Sequence, residues 1–458
     1  MGKVSFKNNI RYLKGCKVGA YVFCLRRALP LFTLMRSLLP KRYFHPSRKQ
    51  FGGNFLSLFS ERPRIMKLLH TADWHLGRYF KNYSLLEDQA RVLQQLVEII
   101  EAERPDAILL AGDIYDRSLP PADAIALLDN VLAEIVLDLA IPLIAIAGNH
   151  DSAERVAYCQ GILQKKGLYM VGHPALVPQP IKLQDAFGDL YVYPIPYTEP
   201  EVLRQIILAS TEPYEQLPKS HEEVMNYYIS QIKKIHPEGQ RAVLMAHAFI
   251  HEGEESASER KLSVGGAAQV SAAIFKDFHY TALGHLHRPQ TFLEGRVHYS
   301  GSLLQYSTSE AGQAKSVTLV EIDGQGAVSL RKIPLQAPRK IERLRATIEG
   351  QSLVLHEEDQ NKAAVLDFVE VTLYNNNPVI NAMAIVQKTF PNAIEIHWYY
   401  QNRQEQNIRL STEELAIKSP GELFEDFYKL AENKQEGLPL PAKEILYQIL
   451  KDLSSLTT

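Results

Sequence analysis

From Met66 onward the chain alternates short apolar runs with stretches whose apolar positions recur at helical spacing. The runs KLLHTAD (67–73), DAILLAGD (106–113) and IPLIAIAGNHD (141–151) each have the length of a buried strand and each end in a polar turn. Between them, 84–102 and 122–139 carry the spacing of amphipathic helices. Ser84 with Glu87 predicts a capping box for the first, and Pro120-Pro121 opens the second. Another helix is expected from Ser152. Strand, helix, strand, helix, strand predicts parallel pairing through right-handed crossovers. Further on, DLYVYPIPY (189–197) and RAVLMAH (241–247) read as strands, with helices near 199–208 and 220–235 between them. VHYSGS (297–302), SVTLVEI (316–322) and VSLRKIPL (328–335) are β-rich, with Asp323-Gly324 as a turn. QAPRK (336–340) reads as a boundary. After it, LDFVEVTLY (366–374), a helix over 379–390 and AIEIHWYY (393–400) predict a small α+β domain. Ser419-Pro420 opens a helix with Leu423, Phe424, Phe427 and Leu430 on one stripe, and a last helix covers 442–453.

Composition adds bounds. The 458 residues are 46% hydrophobic and 22% charged, enough for two or three packed domains. The most apolar candidates for a membrane span, 18–25 and 28–35, are eight residues each and are split by Arg26-Arg27. Cys16, Cys24 and Cys159 form no CxxC pair, so neither a disulfide framework nor a zinc knuckle is expected, and a cytoplasmic setting is. The net charge of −2 hides a break: residues 1–65 hold 14 Lys/Arg and a single acid, Glu61, leaving a net of −15 from Met66 onward. This segment could be an Arg-rich targeting peptide, a basic arm that grips phosphates, or sequence upstream of a working start at Met66. The last is preferred, because a clean strand begins at MKLLHTAD. The expected organisation is thus a basic extension 1–65, a catalytic domain 66–336, an α+β capping domain 337–410 and C-terminal helices 411–458.

Five stretches share one feature, the end of an expected strand. They are ADWH (Asp73, His75), GDIYD (Asp113, Asp116), GNHD (Asn149, His150, Asp151), MAH (His247) and GHLH (His285, His287). In open α/β sheets such strand ends face one crevice. The i, i+2 spacing of Asp73/His75 and of His285/His287 would put each pair on one side of an extended chain. Imidazoles mixed with carboxylates suit manganese, iron, zinc or cobalt, and the absence of cysteine argues against structural zinc. The set exceeds what one ion needs, whereas two ions about 4 Å apart sharing a carboxylate would use it. Such a pair activates water and clamps a phosphate, so phosphoester hydrolysis is the natural reaction. Asp116 and Asp151 are read as supporting or capping groups. The other histidines, His70 and His298 among them, are read as ordinary satisfied or exposed side chains.

The order D-x-H, G-D-x-x-D, G-N-H-D, H, G-H-x-H resembles that of the calcineurin-like metallophosphoesterases, over roughly residues 66–335. The wording MKLLHTADWHLGR, LLAGDIYDRSLPPADA, IAGNHDSAER and ALGHLHRPQ is similar to the SbcD family, nuclease subunits of bacterial SbcCD complexes. KLSVGGAAQVSAAIF and SPGELFEDFYKL extend that likeness, and residues 1–65 have no counterpart in it. The resemblance implies a metallophosphoesterase β-sandwich flanked by helices, with a small C-terminal α+β capping domain. It implies that Asp73, His75, Asp113 and His287 hold one metal, and that Asp113 (bridging), Asn149, His247 and His285 hold the other. His150 would be the non-ligand that contacts the phosphate and assists the leaving oxygen. It further implies manganese, DNA as substrate and an SbcC-type coiled-coil ATPase partner that uses ATP. The assembly would be a homodimer within a heterotetramer, cytoplasmic and on the nucleoid, with no membrane. The activities implied are a double-strand exonuclease working 3′ to 5′ and an endonuclease on single strands and hairpins, in replication, recombination and repair. The residues alone support DNA only modestly, because the body is acidic. Arg78, Lys81 and Arg288 flank the metal motifs and could grip a backbone, or equally form an ordinary solvated surface. The alternatives are a small-molecule phosphodiesterase or phosphoprotein phosphatase of the same fold, and a scaffold without activity.

Overall fold

A computed structural model describes residues 65–210, 216–259, 269–399, 419–432 and 437–455. The expected basic extension lies outside the described residues, Ile65 excepted, as does the 400–410 end of the expected capping domain.

The first half builds a parallel sheet from β1 (Met66–Thr71), α1 (Leu86–Glu103), β2 (Ala107–Ala111), α2 (Ala122–Ala133), β3 (Leu143–Ile146) and β4 (Leu168–Val171). The four strands pair in parallel in chain order. Both faces are covered, which is why β2 and β3 read as unbroken apolar runs. Val92, Leu93, Leu96 and Ile100 of α1 pack with Leu69, Ile108 and Leu110. The expected capping box does not form. Ser84 is drawn into a hairpin with Tyr79, so α1 starts at Leu86 without a side-chain cap. The helix expected from Ser152 is a single turn, Ala153–Val156, with the Ser152 side chain accepting from Arg155 N.

The second half adds β5 (Ile181–Asp185), β6 (Gly188–Ile195), α3 (Pro200–Ala209), α4 (His221–Ile235), β7 (Arg241–His247), β8 (Tyr280–Gly284), β9 (Gln290–Phe292) and β10 (Val297–Tyr299). They make a sheet in the order β9-β10-β8-β7-β6-β5. The chain then returns to the first sheet. β11 (Lys315–Ile322) pairs antiparallel with β1, and β12 (Val328–Leu335) pairs with β11. At the turn between them, Asp323 Oδ1 accepts from the amides of Gln325 and Ala327 at 2.8 and 2.9 Å. The two sheets face each other. Leu68, Leu109, Ile144 and Ile146 interleave with Leu190, Val192, Val243, Met245 and Tyr280. This sandwich aims the carboxyl ends of β1, β2, β3, β7 and β8 at one region.

A smaller layer follows: β13 (Ile341–Glu349), β14 (Ser352–Leu355), β15 (Phe368–Leu373), α5 (Ala382–Thr389) and β16 (Ala393–Trp398), in sheet order β14-β13-β15-β16. It is fastened to the sandwich. The Arg339 guanidinium pairs with Asp88 and lies 4.5 Å from the Phe368 ring centre. Ile341 N donates to Gln305 Oε1 at 2.7 Å. Two helices close the chain, α6 (Pro420–Glu432) and α7 (Leu440–Ser455), joined by a Lys443–Glu425 ion pair at 2.6 Å. Phe424 and Phe427 of the expected apolar stripe are exposed. Among the described residues, no helix is long and apolar enough to cross a membrane.

Candidate metal centre

All five motifs meet at the ends of the central strands, although the backbone that brings them there is not extended. β1 stops at Thr71, and Asp73 and His75 then adopt φ of 53° and 46°. Asp113 and His285 have φ of 48° and 114°. Left-handed backbone at side chains other than glycine costs about 1–3 kcal/mol each and gathers at functional sites. The convergence of Asp73 with His75 therefore comes from tight turns, which period-two spacing does not describe. The turns hold one another: Asp73 N donates to Gly112 O at 3.1 Å and His75 N to Asp113 O at 2.9 Å. His285 N donates to Asp73 Oδ1 at 2.9 Å, tying the second sheet to the first. Gly284 permits this approach, since a Cβ there would sit 1.8 Å from Ala111 O.

Asp113 lies in the middle. Its Oδ2 is 3.6 Å from His75 Nε2 and 3.4 Å from His247 Nε2. On one side, His75 Nε2 faces His287 Nε2 at 3.0 Å. On the other, Asn149 Oδ1 is 2.9 Å from His247 Nε2 and 3.4 Å from His285 Nδ1. One ligand atom each from Asp73, His75 and His287 fall within 4.8 Å of one another, as do those of Asp73, Asp113 and His247. Ligand bonds of about 2.0–2.2 Å at right angles place neighbouring donors about 3 Å apart. The 2.9–3.6 Å separations among Asp113, His75, His287, His247, Asn149 and His285 are close to that scale.

The side chains fit divalent cations on a second count. The His247 Nδ1 hydrogen goes to the Ala111 carbonyl at 3.0 Å, so a neutral His247 would aim its Nε2 lone pair at the Asn149 oxygen. A second proton, a turned Asn149 amide or a cation relieves that contact, and Asn149 Nδ2 is itself buried without a partner. Burial opposes the second proton, yet the Asp113 and Asp73 carboxylates outweigh it and hold His247 up at about 9. Burial likewise pushes Asp73 up to about 7, against the pull of His247 and His287. Asp113 is held well below the usual carboxylate range: burial works to raise it, and the facing His247 and His75 imidazoles prevail. Burial keeps His75 and His285 neutral. Asp73 Oδ2 and His285 Nε2 are buried with no hydrogen-bond partner. Buried carboxylates among imidazoles, with unpartnered atoms, form a site that cations complete.

Two family matches accompany this geometry. Residues 66–289 match the family described as calcineurin-like phosphoesterase, and residues 332–432 match the SbcD_C family, described as type 5 capsule protein repressor C-terminal domain. The chain carries a calcineurin-like phosphoesterase domain followed by an SbcD_C domain, a pairing that makes it SbcD-like. Three solved structures are similar to it. The TT1561 protein of Thermus thermophilus is 14% identical, covering 59% of this chain and 99% of that one, with a TM-score of 0.35. A dimetal phosphatase from Danio rerio is 12% identical, with 59% and 99% covered and a TM-score of 0.36. GAP50, the anchor in the inner membrane complex of Plasmodium, is 13% identical, with 60% and 90% covered and a TM-score of 0.33.

In this SbcD-type phosphoesterase, the remaining expected residues divide by what they touch. His150 stands beside the seven: its Nδ1 donates to Asp116 O at 2.7 Å, its amide to Asp113 Oδ1 at 2.9 Å, and its ring centre is 4.7 Å from that of His75. Asp151 accepts from the amides of Ile114, Tyr115 and Gly148 at 3.0, 2.9 and 2.9 Å, binding the β2 turn to the β3 turn. Asp116 Oδ1 takes a 2.9 Å bond from Arg78 Nη1. Arg78 also donates to Ser258 O and lies 5.1 Å from the Tyr306 ring centre. Lys81 pairs with Glu395 at 3.1 Å, and Arg288 with Glu254. Each of the three basic groups thus meets a carboxylate of its own chain. Sequence reasoning missed Gln89, whose amide donates to His75 O at 2.7 Å and Trp74 O at 3.1 Å. A polar residue on the buried stripe of α1 was its available signal. It also missed Tyr306, which donates to Trp74 O at 2.5 Å, and Glu310; neither lies in a motif.

Proposed function

We propose that this phosphoesterase is the two-metal DNA nuclease subunit of an SbcCD-type complex. It would act as a 3′-to-5′ exonuclease on double-stranded ends and an endonuclease on single strands and hairpins, with an SbcC-type ATPase supplying ATP hydrolysis. The observation that carries this reading is Asp113 Oδ2, set between His75 Nε2 at 3.6 Å and His247 Nε2 at 3.4 Å. A carboxylate flanked by two sets of donors is what a shared ligand requires. We assign Asp73, His75, Asp113 and His287 to one ion, and Asp113, Asn149, His247 and His285 to the other, with manganese as the proposed metal. Two bound cations would supply an activated water and neutralise charge on the phosphate. The rest belongs to the chain. His247 is oriented by the Ala111 carbonyl. The Asp116 carbonyl fixes the Nδ1 hydrogen of His150, leaving its Nε2 to meet the phosphate or the leaving oxygen.

The C-terminal family match, together with exposed Phe424 and Phe427 on α6, and Ile445 and Tyr447 on α7, supports an ATPase docking there. The proposed complex is a nuclease homodimer within a heterotetramer, on the nucleoid, serving replication, recombination and repair.

One observation keeps a second reading in view. Arg78, Lys81 and Arg288 all sit on acidic partners, which suits a small phosphodiester or a phosphoprotein as well as DNA. The two exposed pairs are no barrier to DNA, since such pairs contribute about 0–1 kcal/mol and release readily. Turnover of linear duplex DNA and of a generic aryl phosphodiester, each with Mn2+ and the ATPase subunit, separates the two. DNA degraded from its ends supports the nuclease. Rapid ester cleavage with DNA intact supports the small-substrate reading.

A further inference from the structure

Next to the metal centre lies a buried charged assembly that the proposed reaction does not use. Glu310, in the loop before β11, is fully buried, and its Oε2 pairs with the buried Lys315 Nζ at 2.5 Å. Lys315 Nζ also donates to His287 O at 2.9 Å and to Ser302 Oγ at 3.0 Å. Glu310 Oε1 accepts from Ser258 Oγ at 2.5 Å and from Tyr306 N at 3.1 Å. Ser258 Oγ is in turn 2.7 Å from His287 Nδ1. The backbone of His287 is clamped as well, its amide donating to Glu259 Oε1 at 2.9 Å.

Counting hydrogens gives this chain a direction. A carboxylate facing a buried ammonium has no hydrogen of its own and only accepts. An O···O contact of 2.5 Å between Ser258 and Glu310 therefore needs the serine hydrogen between them. The nearby Ser256 hydroxyl has its own acceptor, Glu259 Oε2, at 2.6 Å. Ser258 has one hydrogen, and once that is given to Glu310 its oxygen can only accept from His287. The hydrogen of a neutral His287 then sits on Nδ1. Nε2 keeps its lone pair and points it at His75 Nε2, 3.0 Å away. Without the relay, His287 could carry its hydrogen on Nε2, the nitrogen whose lone pair a cation needs.

We infer that Ser258 and Glu310 are positioning residues that lock His287 as its Nδ1–H tautomer and so present its Nε2 to a divalent cation. This rests on the assignment of His287 as a ligand. His247 and His150 receive the same service from the Ala111 and Asp116 carbonyls, which substitution cannot remove. Of these three histidines, His287 is the one whose relay is built from side chains and can be cut cleanly.

The test uses the full chain with Ser258→Ala, Ser258→Thr and His287→Ala, titrated with Mn2+ alone. Glu310→Gln is avoided because it strands the Lys315 ammonium. Ser258→Ala should weaken one Mn2+ by about 10- to 100-fold, the range for partners of metal ligands. Ser258→Thr, which keeps the hydroxyl, should restore binding. In metal-free protein, 15N shifts of the His287 ring should report hydrogen on Nδ1 in the parent and redistribution toward Nε2 in Ser258→Ala. Ser258→Cys, which keeps the volume and removes the strong donor, should repeat both effects and stands in if the alanine variant misfolds. Parental Mn2+ affinity or unchanged ring nitrogens in the variant lacking the hydroxyl overturns the relay while His287 remains a ligand. Parental affinity in His287→Ala overturns the ligand assignment itself.

Discussion

His150 shows how one side chain can be confined to a single role. Its Nδ1 is spent on the Asp116 carbonyl at 2.7 Å, so the ring cannot turn to join a cation through that nitrogen. His150→Ala should leave two Mn2+ bound per chain while turnover falls by about 10²–10⁴-fold, the usual range for a lost acid–base group. Calorimetry beside a cleavage assay checks this; lost metal would make His150 a ligand. His298 shows the opposite fate, a histidine committed to the core. Burial first, then the Lys332 charge, pushes its imidazole down to about 3, while its ring bonds Thr318 and Thr291 at 2.9 and 3.0 Å. An unfolded chain carries an ordinary imidazole near 6.5. Because the folded value is depressed, the unfolded state gains a proton that the folded state refuses. Stability from this group is present above about pH 6.5 and is lost as pH falls toward 3. His298→Asn should remove one proton from the acid-side slope, about 1.4 kcal/mol per pH unit, in urea titrations between pH 6 and 4. An unchanged slope would mean that His298 is not held neutral.

At the scale of elements, the site depends on how closely strand ends from two sheets approach. The β8 end touches the β2 end through Gly284, where a Cβ would meet Ala111 O at 1.8 Å and His247 Nδ1 at 2.8 Å. Gly284→Ala should cost about 1–3 kcal/mol, as overpacking does, and displace His247. Thermal unfolding together with Mn2+ titration measures both; a parental profile would refute the contact. The strands themselves were legible. Apolar runs in β1, β2, β3, β7 and β8, each closing on charged or amide residues, announced parallel packing with a shared crevice. The left-handed turns at Asp73, His75, Asp113 and His285 were not, because nothing in residue spacing reports φ. The Ser84 cap failed for a related reason: a two-strand hairpin, too short for a pattern, claimed the residue first. β13 was hidden by its charges. Arg343, Arg345 and Glu349 alternate with the buried Leu344, Ala346 and Ile348, a one-sided pattern that an apolar search passes over.

Across the described residues, a sandwich gathers the buried Asp73, Asp113, Glu310 and Lys315 near its strand ends, with a smaller sheet fastened beside it. That the seven candidate residues meet was legible in the sequence because each follows a strand. Their supports were not: Gln89, Ser258, Tyr306 and Glu310 come from a helix and loops whose meeting only the fold determines. The basic residues beside the motifs showed the reverse difficulty. Arg78 read equally as a phosphate grip or a solvated side chain, and it meets Asp116 and the Tyr306 ring, a pairing across distant loops. The central claim is that Asp113 is shared. Anomalous diffraction from crystals soaked in Mn2+ tests it most directly. The account predicts two peaks about 3.5–4 Å apart, both within bonding distance of the Asp113 carboxylate. A single peak, or two peaks of which one lies away from Asp113, would contradict it.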